Sequence, residues 1–303
     1  MTDSVEHRQM LEDILPLVEM PSRYLGNETN SIHKNLNDVK LRVALAFPDL
    51  YEIGTSHFGL QILYSLLNQD EHIAAERVFA PARDLEARLR QRGLPLGSLE
   101  SATPLTEFDI IGFSLLYELN FTNVLTILEL AGIPFLTSQR DHTHPFLIAG
   151  GPCMVNPEPV ADFFDAIVVG DGEDVILEMT RAWNAWRDAG VDDKAALLRT
   201  WSQIGGVYIP SFFSADYQQG RYQQLTPDFE NHAGVKRRIL ASLDQDTFPI
   251  DPVVPYGKPV HDRLRLEVSR GCTRGCRFCQ AGMIYRPVRE RNPKQLLALV
   301  DRS

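Results

Sequence analysis

Cysteine is scarce in this chain, and positive charge is outweighed by negative charge. Acidic residues outnumber basic ones by 40 to 30, for a net charge of -10, and this balance argues against a nucleic-acid partner because such partners usually leave a basic footprint. One short basic run, Lys236 to Arg238, is interpreted as a solvated linker turn. There are four cysteines, and three of them lie within eight positions. In a reducing compartment such crowding indicates metal binding or redox chemistry rather than disulfides.

Targeting and membrane signals are also missing. The N-terminus is acidic where a secretory signal needs a basic start and an unbroken apolar core, so we predict a cytoplasmic protein. The most apolar stretch, residues 108–136, is interrupted by Glu118, Asn120, Asn123 and Glu129 and is not expected to cross a bilayer.

A strand-then-helix rhythm runs from about Leu41 to Gly190. Apolar runs such as "LRVALAF" alternate with segments of helical spacing, two of which end at Gly93 and Gly132. This alternation predicts an α/β fold, a Rossmann-like doubly wound parallel sheet whose ligands bind at the carboxyl ends of the strands. The loops expected there read "PDLYEIGTSH", "SLLYELN", "GGPCMVNPEP" and "GDGED".

The remainder is organised differently. A proline-rich linker leads to a predicted strand, "RLRLEVSR", and the last segment begins a helix with Asn292 as its N-cap. One strand and one helix cannot bury themselves, so we expect this unit to be the start of a larger sheet or of an incomplete (β/α) barrel, and its last helix to lack a partner surface. The predicted units are a helical segment 1–38, a Rossmann domain 39–190, a connector 191–260 and the start of a second domain at 261–303.

The three clustered cysteines, Cys272, Cys276 and Cys279, have the spacing C-x3-C-x2-C. A loop of this length can place three thiolates around three corners of one cubic iron–sulfur cluster, which leaves the fourth iron open to a small molecule. A structural zinc site is the alternative, but it needs a fourth ligand, for which His261 is the nearest candidate and lies at the wrong end of the strand.

The loop "CTRGCRFC" resembles the cluster motif of the radical S-adenosylmethionine (SAM) enzymes. The resemblance implies that the three cysteines bind a [4Fe-4S] cluster, that the open iron chelates SAM, and that Phe278 lies beside the adenine. In that family an electron from the cluster cleaves SAM to methionine and a 5′-deoxyadenosyl radical, and a reductant such as ferredoxin or flavodoxin is implied as a partner.

The preceding region resembles the cobalamin (B12)-binding domain that precedes the cysteine loop in some of these proteins. The signals include "GG" after a strand, "DAIVVGDGE" and "GVYIP", and several longer stretches resemble an uncharacterised subgroup of large fused proteins. Cobalamin is therefore an expected second cofactor. Gly150 and Gly151 would allow its close approach, and Ser114, two positions before Leu116, would bind its nucleotide tail; both features are also common for structural reasons.

Two further assignments keep alternatives. His57 is the candidate axial ligand of cobalt, but it lacks the D-x-H-x-x-G pattern and could instead cap a helix or face solvent. Gly172 and Glu173 are candidate cofactor contacts, although an acidic residue at the start of a helix is favoured electrostatically in any protein.

Two functions remain in view. The first is a radical SAM iron–sulfur enzyme, or a fragment of one, that modifies an unknown substrate by methyl transfer or another radical step. The second is a non-catalytic cofactor-binding half that needs a partner chain to complete the barrel.

Overall fold

The computed structural model describes residues 4–190, 192–244, 248–257 and 263–302. His261 and the predicted boundary at 260/261 lie outside them. The strands are β1 Leu41–Phe47, β2 Ile73–Phe79, β3 Ile110–Ser114, β4 Phe146–Gly150, β5 Ala166–Val168, β6 Val207–Tyr208, β7 Phe213–Gln218, β8 Arg221–Pro227, β9 Ser269–Arg270 and β10 Arg289–Glu290. The α-helices are α1 Ser4–Glu12, α2 Tyr51–Gly54, α3 Phe58–Asn68, α4 Arg83–Arg92, α5 Phe121–Ala131, α6 Glu173–Asp188, α7 Lys194–Trp201, α8 Ala281–Ile284 and α9 Pro293–Arg302.

The main sheet has six strands in the order β2-β1-β3-β4-β5-β6. Strands β1 to β5 are mutually parallel, and β6 runs antiparallel to β5 at one edge. The predicted Rossmann-like α/β fold is therefore confirmed, with a sheet that is mixed rather than wholly parallel.

Both faces of this sheet are buried. Along β1, Val43 and Leu45 face one hydrophobic cluster while Ala44 and Ala46 face the other. Helices α3, α6 and α7 cover the first face, and α4 and α5 cover the second. This two-sided burial explains why the strands read as continuous apolar runs.

The predicted helix ends are confirmed at Gly93 and Gly132. Both adopt left-handed backbone conformations, with φ of 62° and 70°, which glycine reaches without steric cost. No helix in the described ranges has the length and apolar character needed to cross a membrane.

The carboxyl-terminal part departs from its prediction. The strand expected over "RLRLEVSR" is reduced to β9, which pairs antiparallel with β10, and β7 and β8 form a separate two-stranded ribbon. Asn292 caps α9 as predicted, because its Oδ1 accepts from Lys294 N at 2.9 Å. Leu299 of that helix is buried, so the expected unpartnered face is limited to side chains such as Leu297 and Val300, which are exposed.

Candidate cofactor site

A cavity of about 470 Å³ lies at the carboxyl edge of the main sheet. Its walls come from the loops after β1, β3, β4 and β5 and from residues of the segment around the cysteines, including Ser269, Gly271 and Tyr285. In the strand order, β1 lies between β2 and β3, so the loops after β1 and β3 leave the sheet in opposite directions and open a crevice. The volume is within the usual range of small-molecule and cofactor sites.

The structure brings together seven of the eight predicted cofactor-binding residues on this one wall. They are His57, Ser114, Leu116, Gly150, Gly151, Gly172 and Glu173. The eighth, Phe278, is 91% exposed and is not part of the wall. The binding roles of all eight stay predictions, whereas their convergence is a property of the fold.

Gly151 shapes the bottom of the cavity. Its φ is +108°, and a Cβ there would lie 2.4 Å from the carbonyl oxygen of Leu115. Leu115 N in turn donates to Gly150 O at 2.8 Å. The chain can therefore fold back closely here only because residue 151 has no side chain.

Ser114 ends β3 inside the cavity. Its hydroxyl makes no hydrogen bond to the described parts of the chain, so it remains available to a ligand. The cavity wall offers free hydrogen-bonding capacity at the position where the sequence predicted it.

His57 is the N-cap of α3. Its Nδ1 accepts a hydrogen bond from Leu60 N at 3.1 Å. Burial, and secondarily the positive charge of Arg265, lowers the pKa of His57 to about 4, so the ring is neutral near pH 7. In that neutral ring Nδ1 is the acceptor, and Nε2 therefore carries the proton. This arrangement fulfils the helix-capping alternative and leaves no free nitrogen lone pair for an axial bond to cobalt.

The "GDGE" loop forms ion pairs with the segment that carries the cysteines. Arg270 donates to Glu173 Oε1 at 2.6 Å and to Glu267 Oε1 at 2.8 Å, and it lies 3.2 Å from Asp171 Oδ1. Arg289 also bonds to Asp171. We call these five residues the carboxylate–arginine network.

The side chains of the network are largely buried, and each charge is compensated by the others. The Arg270 side chain is 14% exposed, and those of Asp171 and Glu173 are 6% and 7% exposed. Burial by itself raises the pKa of Asp171, but hydrogen bonds from Arg289 and from Leu240 N reverse the effect and hold it below its usual range. Removing one partner of such a buried pair leaves an uncompensated charge, at a typical cost of about 3–5 kcal/mol.

The cysteine loop follows directly. Cys272 and Cys279 are half-buried and Cys276 is exposed. Gly271, with φ +101°, lets the chain pass close to Tyr285 O, which a Cβ would approach to 2.5 Å, so the two ends of the loop segment lie together. Within the described residues, no three side chains of His, Cys, Asp or Glu are gathered as a metal site. The loop nonetheless supplies three thiols in one short stretch without regular structure, a donor set suited to a cluster with one open iron.

Three arginines of this region were missed or misread in the sequence. Arg237 lines the cavity, and Arg238 pairs with Glu178 at 2.5 Å, so the interpretation of the basic run as a solvated turn is wrong for both. Arg238 N also donates to Val169 O at 2.8 Å, which joins this run to the end of β5. Arg265 lies beside His57, with its guanidinium carbon 5.8 Å from the centre of the Phe58 ring. Charge patterning alone carried no signal for these contacts, because each depends on chain segments distant in sequence.

Comparison with known proteins agrees with this architecture. The family profile described as "Radical SAM proteins, N-terminal" matches residues 59–210, and the chain belongs to that family. The chain is 26% identical over 262 residues to the uncharacterized protein MJ0966 of Methanocaldococcus jannaschii, an alignment that covers 86% of this chain and 45% of the relative.

Two solved structures are similar. One is the cobalamin-dependent S-adenosylmethionine radical enzyme OxsB with aqua-cobalamin and S-adenosylmethionine bound, at a TM-score of 0.50 and 15% identity, covering 96% of this chain and 36% of that one. The other is the radical S-adenosylmethionine methyltransferase TsrM from Kitasatospora setae with tryptophan and a SAM analogue bound, at a TM-score of 0.42 and 15% identity, covering 86% and 44%. The OxsB likeness supports the fold. This chain spans less than half the length of each of these proteins.

Proposed function

We propose that this chain forms the cofactor-binding part of a radical SAM enzyme that uses a [4Fe-4S] cluster, SAM and cobalamin. The single observation that carries the proposal is the shared cavity: one wall comes from the family's N-terminal domain, and the other comes from the segment that bears the three cysteines. OxsB, which shares the fold, is a cobalamin-dependent S-adenosylmethionine radical enzyme.

In this proposal Cys272, Cys276 and Cys279 hold the cluster. When bound, such a cluster supplies the electron that cleaves SAM. The chain itself contributes the anchoring of the loop, since Arg270, two residues before Cys272, is fixed by Glu173 and Asp171. The carboxylate–arginine network thereby fixes the start of the cysteine loop beside the cavity.

Two features of the cavity wall support binding of part of a cobalamin molecule. Gly150 and Gly151 expose backbone, and Ser114 has a free hydroxyl. His57 would act as a hydrogen-bond donor through Nε2, not as the axial ligand. Bound cobalamin would supply a methyl group for transfer, and the substrate is unassigned.

The test is anaerobic reconstitution with iron and sulfide. We expect about one cluster per chain in the wild type, a change of its reduced EPR spectrum on addition of SAM, and loss of bound iron in Cys272→Ser, Cys276→Ser and Cys279→Ser. Cys153→Ser is the matched control, because Cys153 is buried, burial raises its thiol pKa to about 11, and it lies far from the loop in sequence. Stoichiometric zinc without iron, or iron retained in all three variants, would refute the cluster assignment.

A non-catalytic cofactor-binding half remains the second candidate. Exposed apolar side chains in the carboxyl-terminal segment favour it, among them Phe278, Met283 and Leu297. Such surfaces commonly mark contact with a further protein surface. A reconstituted chain that binds the cluster and SAM but forms no 5′-deoxyadenosine with a strong reductant would favour this candidate; formation of 5′-deoxyadenosine would exclude it.

A further inference from the structure

Five charged side chains line the cavity: three carboxylates and two arginines. The carboxylates are Asp171, Glu173 and Glu267, and all three are paired with Arg270. Arg289 and Arg291, outside the lining, bind two of them as well. The fifth charged side chain is Arg237. Within the described ranges Arg237 has no carboxylate within the 4.0 Å of an ion pair, so it is the charge of the wall that is left without a counter-charge there.

The Arg237 side chain is held in place, but most of its N–H groups make no hydrogen bond to the described residues. Its stem packs against the end of β5, since a Cβ on Gly170 would lie 2.8 Å from Arg237 Cγ. Its Nη1 donates to Ile284 O. A guanidinium group has several N–H donors in a planar fork, so most of its hydrogen-bonding capacity remains available to a ligand in the cavity.

A second arginine, Arg265, lies beside His57 and Phe58 of the cavity wall. Arg265 contacts Phe58, donates to Ser56 O and has no carboxylate partner among the residues described. Burial lowers the pKa of Arg265, as expected for a cation that has lost water without gaining an anion. The chain has a net charge of -10, yet these two partly buried arginines next to one cavity have no carboxylate partner among the residues described.

We propose that Arg237, with Arg265 as a secondary contact, binds an oxyanion carried by the molecule that occupies the cavity. The inference rests on the proposed function, which provides two such molecules: the nucleotide tail of cobalamin contains a phosphodiester, and SAM contains a carboxylate. Arginine suits both, because its fork matches the paired oxygens of either group. The apolar wall and the Ser114 hydroxyl would receive the uncharged part of the same ligand.

The test compares Arg237→Met with Lys236→Met, an exposed neighbour that serves as the control. Binding of hydroxocobalamin and of cobinamide, which lacks the phosphodiester and the base, is followed by visible absorption. We expect Arg237→Met to weaken hydroxocobalamin binding about tenfold to a hundredfold, the range for hydrogen bonds to charged groups, and to leave cobinamide binding unchanged. Arg237→Lys should retain part of the affinity, and Lys236→Met should match the wild type.

The remaining measurements distinguish the phosphodiester of cobalamin from the carboxylate of SAM as the bound oxyanion. If Arg237→Met weakens only the EPR response of the reconstituted cluster to SAM, the carboxylate is the bound group. An equal loss for cobalamin and cobinamide would mean that Arg237 supports the wall, and it would overturn the proposal. So would unchanged binding of every ligand.

Inorganic phosphate provides a readout that does not require the proposed function. Phosphate should raise the melting temperature of the wild type more than that of Arg237→Met, whether or not cobalamin binds. If the wild type binds neither cobalamin nor a cluster but shows this difference, the proposed function fails and the oxyanion site stands. Equal phosphate effects on the wild type and Arg237→Met would refute the site.

Discussion

The six-stranded domain and the segment that carries the cysteines are held in place by different forces. The domain buries apolar side chains on both faces of its sheet, and residues such as Leu147 and Trp201 are fully buried. The cysteine segment buries little apolar surface and is attached largely through polar contacts, among them those of Arg270 and Arg289. The first region is stabilised by its hydrophobic core, whereas the second depends on polar contacts and, in our proposal, on its cofactors.

This difference has a functional meaning. In our proposal the cysteine loop must admit iron, sulfide and SAM, so it cannot be closed by a dry core. Ion pairs fix the direction of the chain next to Cys272 while leaving the loop itself open. Polar attachment of an exposed loop to a rigid sheet is a common way to position binding residues.

The largest effect should come from the core. Leu147→Ala in β4 removes a fully buried side chain and should lower the free energy of unfolding by about 2–5 kcal/mol. Leu297→Ala in α9, where the side chain is 66% exposed, should change it by less than about 0.5 kcal/mol. Denaturant unfolding followed by far-UV circular dichroism measures both. Similar losses for the two variants would contradict the proposed contrast between the regions.

The next effect concerns the carboxylate–arginine network. Arg270→Met should free the cysteine loop and raise the rate of trypsin cleavage after Arg274 about tenfold or more, because Glu173 loses its arginine partner and Asp171 and Glu267 each lose one of two. The sheet should stay folded, and its far-UV circular dichroism should be unchanged. Arg221→Met, on the exposed strand β8, is the control and should leave the cleavage rate unchanged.

Glu173→Gln separates positioning from cofactor contact. If Glu173 only holds Arg270, this variant should increase cleavage after Arg274 and leave hydroxocobalamin binding intact. Weaker cobalamin binding with an unchanged cleavage rate would instead restore Glu173 to its predicted role as a cofactor contact.

A smaller, pH-dependent effect lies at the boundary between the two regions. The pKa of His57 is lowered by burial and by Arg265 from 6.5 to about 4, so the unfolded chain binds a proton at a higher pH than the folded chain does. The stability associated with neutral His57 is therefore complete above about pH 6.5 and is lost as the pH falls towards 4.

His57→Asn should reduce this pH dependence, because asparagine also caps helices but does not titrate. We expect the wild type to lose more stability than His57→Asn between pH 7 and pH 4.5. His142→Asn, at an exposed position, should behave like the wild type. Parallel pH profiles for all three proteins would show that His57 is not held neutral by the fold.

Much of the sheet was predictable, because its signals are local. Apolar runs located β1, β3 and β4, and glycines marked the ends of α4 and α5. Convergence of Ser114, Gly150 and Glu173 on one cavity followed from the general rule that loops after parallel strands share one edge of the sheet.

Other features were not predictable. The alternation in "RLRLEVSR" favoured a longer strand than β9, because a pattern of side chains does not reveal whether a neighbouring strand is present to pair with it. The antiparallel direction of β6 and the ribbon of β7 and β8 likewise depend on which backbone groups meet.

The amino-acid sequence by itself determined the alternating α/β architecture, the thiol spacing of the cysteine loop and the glycines that shape the cavity, because each is set by side chains close together in the chain. Only the tertiary structure decided the charges of the site. Glu173 and Arg270 meet across 97 positions, and Arg237 lines the cavity at a distance from any described carboxylate. The physical reason is that an ion pair or an unpaired cation is defined by distance and by exclusion of water, and neither quantity exists until the sheet and the cysteine segment have come together.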